Sequence, residues 1–456
     1  MPRPQRPSNT VQAPGPAAST LLATLNPAQR DAVTTTEGPL LVLAGAGTGK
    51  TRVITTRIAY LVSLGVAPAH ILAVTFTNKA AGEMRERVSQ LAGERAKEIT
   101  VGTFHAFCAR VLREHGHALG LPRKFTICDA SDQLSAVKSA MRELRVYETA
   151  MHPSAVLARL SLAKNRMQTP ESYLASGTTS KDQLVGSVWQ RYQEFLTRTR
   201  SLDFDDLLLE TVRLLRDHES VRNHYRERYR HLLVDEYQDT NHPQYEIVRL
   251  IGEEHRNVCV VGDDDQSIYG WRGADIQKIL GFHRDFVGAK VVRLQTNYRS
   301  TRQILTAAND VIGKNASRHE KALESARGEG PPVRFLRLKD ETSEAQFVVG
   351  EMQKRIRAGE AKPESFAILC RTQVQFRPLE GELRASGVPY VLVGGMSFFD
   401  RKEVRDVVAY LKLVINPRDE TSLLRIINTP SRGVGKASID RVLGFATDNG
   451  ISASEA

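Results

Sequence analysis

Ala44-Gly45-Ala46-Gly47-Thr48-Gly49-Lys50-Thr51 follows an apolar run, Pro39–Leu43, and opens a helical pattern. The stretch has the spacing of a triphosphate-binding loop, with Ala44 in place of the usual first glycine. Glycines in such a loop let successive backbone N–H groups point into one concavity that holds phosphate oxygens. The helix that follows adds its positive N-terminal end. In this reading Lys50 reaches the β- and γ-phosphates and the Thr51 hydroxyl coordinates Mg²⁺. The plain alternative is a glycine-rich turn with an exposed lysine. The strand before, the helix after and the Lys-Thr pair together favour the phosphate loop.

A phosphate loop needs an acidic partner at the end of a neighbouring strand, and His231-Leu232-Leu233-Val234-Asp235-Glu236 supplies one. Asp235 would hold Mg²⁺ through its water shell, since this ion keeps waters and takes few carboxylates. Glu236 would orient and deprotonate an attacking water. Further β-rich apolar runs at Ile71–Phe76, Thr100–Phe104, Val258–Val261 and Val291–Leu294 alternate with helical patterns. That rhythm argues for a parallel α/β sheet. From about Arg113 to Arg200 the rhythm stops in a helical, basic stretch, read as an insertion. β-like runs resume at Val333–Leu338, Phe366–Cys370 and Tyr390–Val393, suggesting a second α/β domain. From about Gly394 the pattern is helical again.

The chain has 456 residues, a prior of about three domains. No run of apolar residues is long enough for a membrane span, and the N-terminus lacks the apolar stretch of a secretory signal. Five of the 19 prolines fall in the first 20 residues, so residues 1–21 read as a disordered tail. Cys108, Cys128, Cys259 and Cys370 are far apart. A zinc or iron–sulfur site is not indicated, and scattered cysteines suit a reducing cytoplasm. The net charge of +11 favours a polyanionic partner, of which nucleic acid is the commonest.

Five segments make a resemblance specific. Val234–Asn241 reads VDEYQDTN and Gly262–Asp275 reads GDDDQSIYGWRGAD. Thr75-Phe76-Thr77-Asn78-Lys79, Gly102-Thr103-Phe104-His105 and Thr296-Asn297-Tyr298-Arg299-Ser300 complete the set. In this order, from about Leu25 to Gly435, the chain resembles the superfamily 1 DNA helicases of the UvrD/Rep/PcrA group. The resemblance implies an α/β fold of two RecA-like motor domains with helical insertions. The first motor domain would comprise 22–112 and 201–297, interrupted by the insertion 113–200. The second would begin at 298–393, and 394–456 would open an inserted accessory domain. Implied function is ATP- and Mg²⁺-dependent translocation on single-stranded DNA with 3′-to-5′ strand separation, in repair or replication in the bacterial cytoplasm. Implied partners are single-stranded and forked DNA and repair proteins, without a membrane.

The resemblance also assigns roles. Gln29 reads the adenine edge, although Asn26, Pro27 and Gln29 also fit a capping box. Gln266 senses the γ-phosphate; a neutral amide can donate to phosphate and accept from water. Tyr298 stacks on adenine, and Arg299 reaches the γ-phosphate, neutralising charge in the transition state. The loop residues Ala44, Gly45, Ala46, Gly47, Thr48 and Gly49 line the ATP site with Lys50, Thr51 and Arg52. DNA contacts fall to Phe76, Asn78, His105, Tyr269, Trp271 and Arg272. Base stacking on aromatics tolerates any sequence, as a motor requires. Trp271 sits in a Gly- and charge-rich loop that favours stacking over burial, whereas Phe76 suits the core nearly as well. Asp203-Phe204-Asp205-Asp206 reads mainly as a helix N-terminus rich in favourable carboxylates. Thr429–Lys436 looks like a Gly-hydrophobe-Gly turn, open to DNA phosphate or to a plain structural role.

Two motifs of the family's second motor domain, one with a Ser/Ala-Lys-Gly-Leu core and one with a second arginine, find no match after Arg299. The expectation is a C-terminally incomplete chain that binds ATP and DNA but does not unwind alone. The alternatives are the helicase part of a helicase–nuclease, against which Asp264 and Asp265 argue, and a non-catalytic DNA-binding truncation.

Overall fold

The computed structural model describes residues 16–147, 149–393 and 401–456. Most of the expected tail and the segment Gly394–Asp400, on which the accessory domain was expected to begin, lie outside the described residues. The end of that tail departs from expectation: Pro16–Ala23 is a helix. Its Ala18 is buried in the core beside Val33 and Ile58, which explains why this Pro-rich stretch ends in order.

Among the described residues the strands are β1 (Leu40–Ala44), β2 (Ile71–Thr75), β3 (Thr100–Thr103), β4 (Thr126–Ile127), β5 (Ser201–Leu202), β6 (His231–Val234), β7 (Val258–Gly262), β8 (Lys290–Leu294), β9 (Thr296–Asn297) and β10 (Glu324–Ser325). Six form one sheet in the order β3-β2-β6-β7-β1-β8, and every pairing in it is parallel. β1 lies between β7 and β8, with Val42 facing Val261 on one side and Val292 on the other. β1, β2, β6 and β7 are buried along their whole length. A parallel sheet covered on both faces reads as a continuous apolar run, which is why these strands showed so clearly.

The two faces feed two cores. Leu41, Leu43, Leu72 and Val74 pack with the helices Phe104–His115 and Phe204–Asp217. Leu40, Val42, Ile71 and Ala73 pack with Lys50–Ser63 and Asn78–Ala92. The alternation is the period of two expected of a strand. Helices start almost immediately after the strands. Thr77 caps Asn78–Ala92 by accepting from the Ala80 N–H at 3.1 Å, and Thr103 caps Phe104–His115 by accepting from Ala106 at 3.2 Å. The carboxyl ends of the strands therefore carry short polar turns, where α/β sheets hold ligands.

Residues 113–200 are largely helical, around a core with Val137, Leu160, Trp189 and Tyr192. This helical layer joins the sheet through a buried charge cluster. Lys164 Nζ lies 2.6 Å from Asp203 Oδ2 and 2.7 Å from Asp206 Oδ1, and the Tyr192 hydroxyl donates to Asp203 at 2.9 Å. Asp203 and Asp206 also form the capping box of Phe204–Asp217, as their position at a helix start suggested. Next in chain, Asn165 accepts from Asn241 Nδ2 at 2.5 Å.

The first compact unit continues to Pro331, past the expected division at 297/298, and regains 415–421 and 439–456. The parallel pairing of β9 with β10 holds this extension to the end of the sheet. The second unit comprises 332–414 and 422–438. Its helices Glu341–Arg357 and Phe376–Ala385 share a small core of Val349, Met352, Leu383 and Val388. The expected strands Val333–Leu338, Phe366–Cys370 and Tyr390–Val393 do not form ladders among the described residues. Phe335 and Leu369 are each 94% exposed. A strand is defined by its neighbour's hydrogen bonds, and apolar β-branched composition cannot supply them. In the Thr429–Lys436 turn, Arg432 donates to the Ile426 carbonyl at 2.6 Å, so that guanidinium caps a helix end.

The cluster around Lys164 makes a stability prediction. Removing one member of a buried ion group leaves uncompensated charge and costs about 3–5 kcal/mol. Lys164→Met should lower the urea midpoint accordingly, and adding Asp203→Asn with Asp206→Asn should recover most of the loss. A Lys164→Met chain as stable as the unsubstituted one would show the cluster to be dispensable.

Candidate nucleotide site and aromatic track

The loop from Gly45 to Gly49 joins β1 to the helix Lys50–Ser63. Two glycines hold its shape: Gly47 has φ +70° and Gly49, the helix N-cap, φ +96°. Both are left-handed conformations that favour glycine. A Cβ on Gly47 would sit 2.7 Å from Arg299 Cβ and from Asn297 Nδ2, so glycine is also required by close approach. Thr48 is fully buried and its hydroxyl donates to the Gly45 carbonyl at 2.7 Å, closing the turn from inside.

Across this loop stand the carboxylates after β6. Lys50 Nζ lies 3.2 Å from Glu236 Oε2. Glu236 has φ +50°, a left-handed backbone that costs on the order of 1 kcal/mol for a non-glycine residue. That turn directs its carboxylate toward Lys50. Gln238, itself buried, donates to Glu236 Oε2 at 2.8 Å and accepts from the Asp263 N–H at 2.9 Å, linking the ends of β6 and β7. Burial pushes the Asp235 carboxyl up to about 6; Glu236 adds to this and Lys50 opposes it. Asp239 is pushed up to about 6 by burial and by Glu236. One buried carboxylate and the Thr51 hydroxyl make a sparse donor set, which suits an ion that retains its own waters. A dication beside Asp235 would offset the burial that now favours its protonated form.

A second wall comes from the two chain segments flanking the loop. Gln29 and Asn26 form the capping box read from the sequence: Gln29 N–H donates to Asn26 Oδ1 at 2.8 Å, and Asn26 N–H to Gln29 Oε1 at 3.2 Å. Gln29 Nε2 also donates to the Thr48 carbonyl at 2.9 Å, so this amide touches the glycine loop directly. Asn26 Nδ2 donates to the Tyr298 hydroxyl at 2.8 Å, and the Tyr298 N–H donates to the Gly47 carbonyl at 2.9 Å. Tyr298 is half exposed. Asn297 organises this wall: its Nδ2 donates to the Ala46 carbonyl at 2.5 Å, while its Oδ1 accepts from the N–H groups of Arg299 and Ser300 at 2.8 and 2.7 Å. Arg299 is thereby placed beside Gly47. Arg52 points elsewhere, donating to the Thr24 carbonyl at 2.9 Å. Gln266 donates to Asp263 Oδ2 in the turn after β7.

The aromatic candidates divide into two groups. Phe76, after β2, and Tyr269, after β7, have ring centroids 5.5 Å apart, and Tyr269 and Trp271 6.4 Å apart. The Arg272 guanidinium lies 4.5 Å from the Trp271 ring centroid. Trp271 is 70% exposed, which settles core packing against it, while Phe76 is only partly covered. Asn78 is exposed at the start of its helix. His105 instead pairs edge-on with Phe204 at 5.7 Å, and burial lowers its pKa.

The profile of the UvrD/REP helicase N-terminal domain matches residues 25–287, and that of the UvrD-like helicase C-terminal domain matches 292–455. The chain belongs to the UvrD/REP helicase family. Similar proteins include the ATP-dependent DNA helicase PcrA of Bacillus subtilis, 46% identical over 433 residues, covering 95% of this chain and 59% of that protein. The PcrA proteins of Staphylococcus aureus and Staphylococcus epidermidis are each 45% identical over 437 residues, covering 96% of this chain and 60% of theirs. The chain spans about three fifths of the length of these curated relatives. No helix among the described residues is long and apolar enough to cross a membrane.

The fold also brings in four residues to which the sequence assigns no role of their own. Asn297 and Gln238 lie inside the quoted motifs, and their polar type among apolar neighbours was a usable signal. Phe204, at a helix start, meets the His105 ring edge-on. Lys321, whose Nζ lies 2.8 Å from Asp263 Oδ1, carries no local signal at all.

The raised Asp235 carboxyl has a consequence for stability. Its folded pKa, near 6, lies above the ordinary value of about 3.9. Its contribution is therefore present below about pH 4 and is lost as pH rises through 6, to an extent of about 3 kcal/mol. Asp235→Asn should raise the melting temperature at pH 8 in metal-free buffer and match the unsubstituted chain near pH 4. Calorimetry showing equal melting temperatures at pH 8 would count against this burial penalty.

Proposed function

We propose that the chain binds ATP with Mg²⁺ at Ala44–Thr51, and that the protein couples hydrolysis to 3′-to-5′ movement along single-stranded DNA and separation of strands. The observation that carries this reading is the Lys50–Glu236 ion pair across the loop. It keeps the loop lysine, a cation for the β- and γ-phosphates, beside a carboxylate able to take a proton from water. When a triphosphate draws Lys50 onto its oxygens, Glu236 is released to orient and deprotonate that water. Mg²⁺, when bound, supplies charge neutralisation between phosphates; Thr51 and Asp235 are the residues that would hold it.

The remaining roles follow from placement. Tyr298 offers a half-exposed ring beside Gly47 for stacking on a base. The Gln29 amide retains one N–H and one lone pair for the adenine edge after its capping and loop contacts. Gln266 is proposed to sense the γ-phosphate and Arg299 to meet it. Arg52 then supports the loop through Thr24. Phe76, Tyr269, Trp271 and Arg272 form the proposed track for bases, with Asn78 and His105 toward the backbone. The division into a motor domain at 22–112 and 201–297, an insertion at 113–200, a second motor domain from 298 and an accessory domain from 394 belongs to the same proposal. So do forked DNA, repair partners and a cytoplasmic setting. The name ATP-dependent DNA helicase carried by relatives supports it.

Binding measurements test both halves. Lys50→Ala should weaken ATP binding by at least about tenfold, the effect of losing a charge-assisted contact to phosphate. Trp271→Ala should cost about 1–3 kcal/mol in affinity for single-stranded DNA, and that affinity should fall steeply with salt. ATP binding indifferent to Lys50→Ala would remove the nucleotide site, and DNA affinity indifferent to Trp271→Ala would remove the track.

A further inference from the structure

Asp263, Asp264 and Asp265 stand side by side on the turn after β7, where mutual repulsion would favour a solvated surface. Asp263 and Asp264 are instead buried. One short stretch closes on all three. Lys321 Nζ lies 2.8 Å from Asp263 Oδ1 and 3.1 Å from Asp265 Oδ2, and it also bonds Asp264 Oδ1. Arg318 grips Asp265 with two parallel bonds of 2.7 and 2.8 Å, the fork geometry that adds direction as well as strength. The His319 N–H donates to Asp264 Oδ2 at 2.5 Å. The Lys321 side chain is 3% exposed.

Both ends of this ion cluster lead to the nucleotide site. On one side, Asp263 shares its carboxylate: Oδ1 takes Lys321 and Oδ2 accepts from Gln266 Nε2. That bond uses one N–H of the amide and leaves the other to be aimed. On the other side, the stretch holding Lys321 runs on into Leu323 and β10. Leu323 lies so close over Gly45 that a Cβ there would be 2.4 Å from its Cδ2. The Ala326 N–H donates to the Asn297 carbonyl at 2.8 Å, and Asn297 is the residue that places Arg299. A buried lysine thus ties the Gln266 turn to the segment that presses on the phosphate loop.

We propose that Lys321, assisted by Arg318, is a positioning residue for recognition of the terminal phosphate of a nucleoside triphosphate. By holding Asp263 it aims the Gln266 amide, and by anchoring Leu323 and β10 it fixes that amide relative to Gly45 and Arg299. The proposal rests on the reading of Ala44–Thr51 as the ATP site.

The test is equilibrium binding of two probes, ADP and the non-hydrolysable β,γ-imido analogue of ATP, each with Mg²⁺, to the whole chain. The unsubstituted chain should prefer the triphosphate analogue. Lys321→Met should reduce that preference by about fivefold or more while ADP affinity stays within about twofold. Gln266→Ala should reduce it likewise, and Lys321→Met in the Gln266→Ala background should add nothing further, because both act through one contact. If Lys321→Met does not fold, Arg318→Gln, at the more open edge of the cluster, is read in the same way. A purely structural role would weaken both nucleotides together, or add fully to Gln266→Ala, and either result overturns the proposal. Preference retained in the variants, or absent from an unsubstituted chain that binds both nucleotides, overturns it too. A folded unsubstituted chain that binds neither nucleotide overturns the ATP-site reading and this inference with it.

Discussion

β1 is hydrogen-bonded along both edges, to β7 and to β8, from Leu40 to Leu43. The site depends on that constraint. A central parallel strand cannot shift register without turning Leu41 and Leu43 out of one core and Val42 out of the other. Its carboxyl end is therefore immovable, and so is the start of the glycine loop. Because all strands of the sheet run the same way, their carboxyl ends share one edge. Phe76 after β2, Asp235 and Glu236 after β6, and Gln266 and Tyr269 after β7 all issue from it, and the chain leaving β8 reaches Tyr298 through β9. Residues far apart in sequence become neighbours without any long loop.

Charge is then arranged around this rigid edge at some cost to stability. The Asp235 carboxyl is buried beside Glu236, with Lys50 the counter-charge that holds Glu236. Deeper charges are compensated more fully: Lys164 meets Asp203 and Asp206, and Lys321 meets Asp263, Asp264 and Asp265. The contrast is physical. Clusters gathered on a buried lysine fix elements against one another, whereas the buried Asp235 carboxyl is only partly offset by Lys50.

Much of the first sheet was legible because buried parallel strands are long apolar runs, and the strand expected before Asp235 forms there, at His231–Val234. The capping box at Asn26 and Gln29 was equally legible, since it is a local pattern three residues apart. The runs at Val333–Leu338, Phe366–Cys370 and Tyr390–Val393 misled for the same reason: their composition is that of strands, but a ladder is a property of two segments. Pro16–Ala23 misled in the opposite sense, because Ala18 finds a core that proline-rich composition does not announce.

By itself, the sequence determined the glycine loop between strand and helix, the acidic strand end, the order of the sheet-forming segments and the family. These rest on short-range chemistry: glycines that permit positive φ, a Lys-Thr pair at a helix start, apolar runs ending in carboxylates. Only the tertiary structure decided which side chains complete the site. Asn297 grips Ala46 across 251 positions, Tyr298 meets Asn26 across 272, and Lys321 reaches Asp264 across 57. Such contacts are set by the sheet's parallel crossovers and by the burial of charge, and neither leaves a periodic trace along the chain.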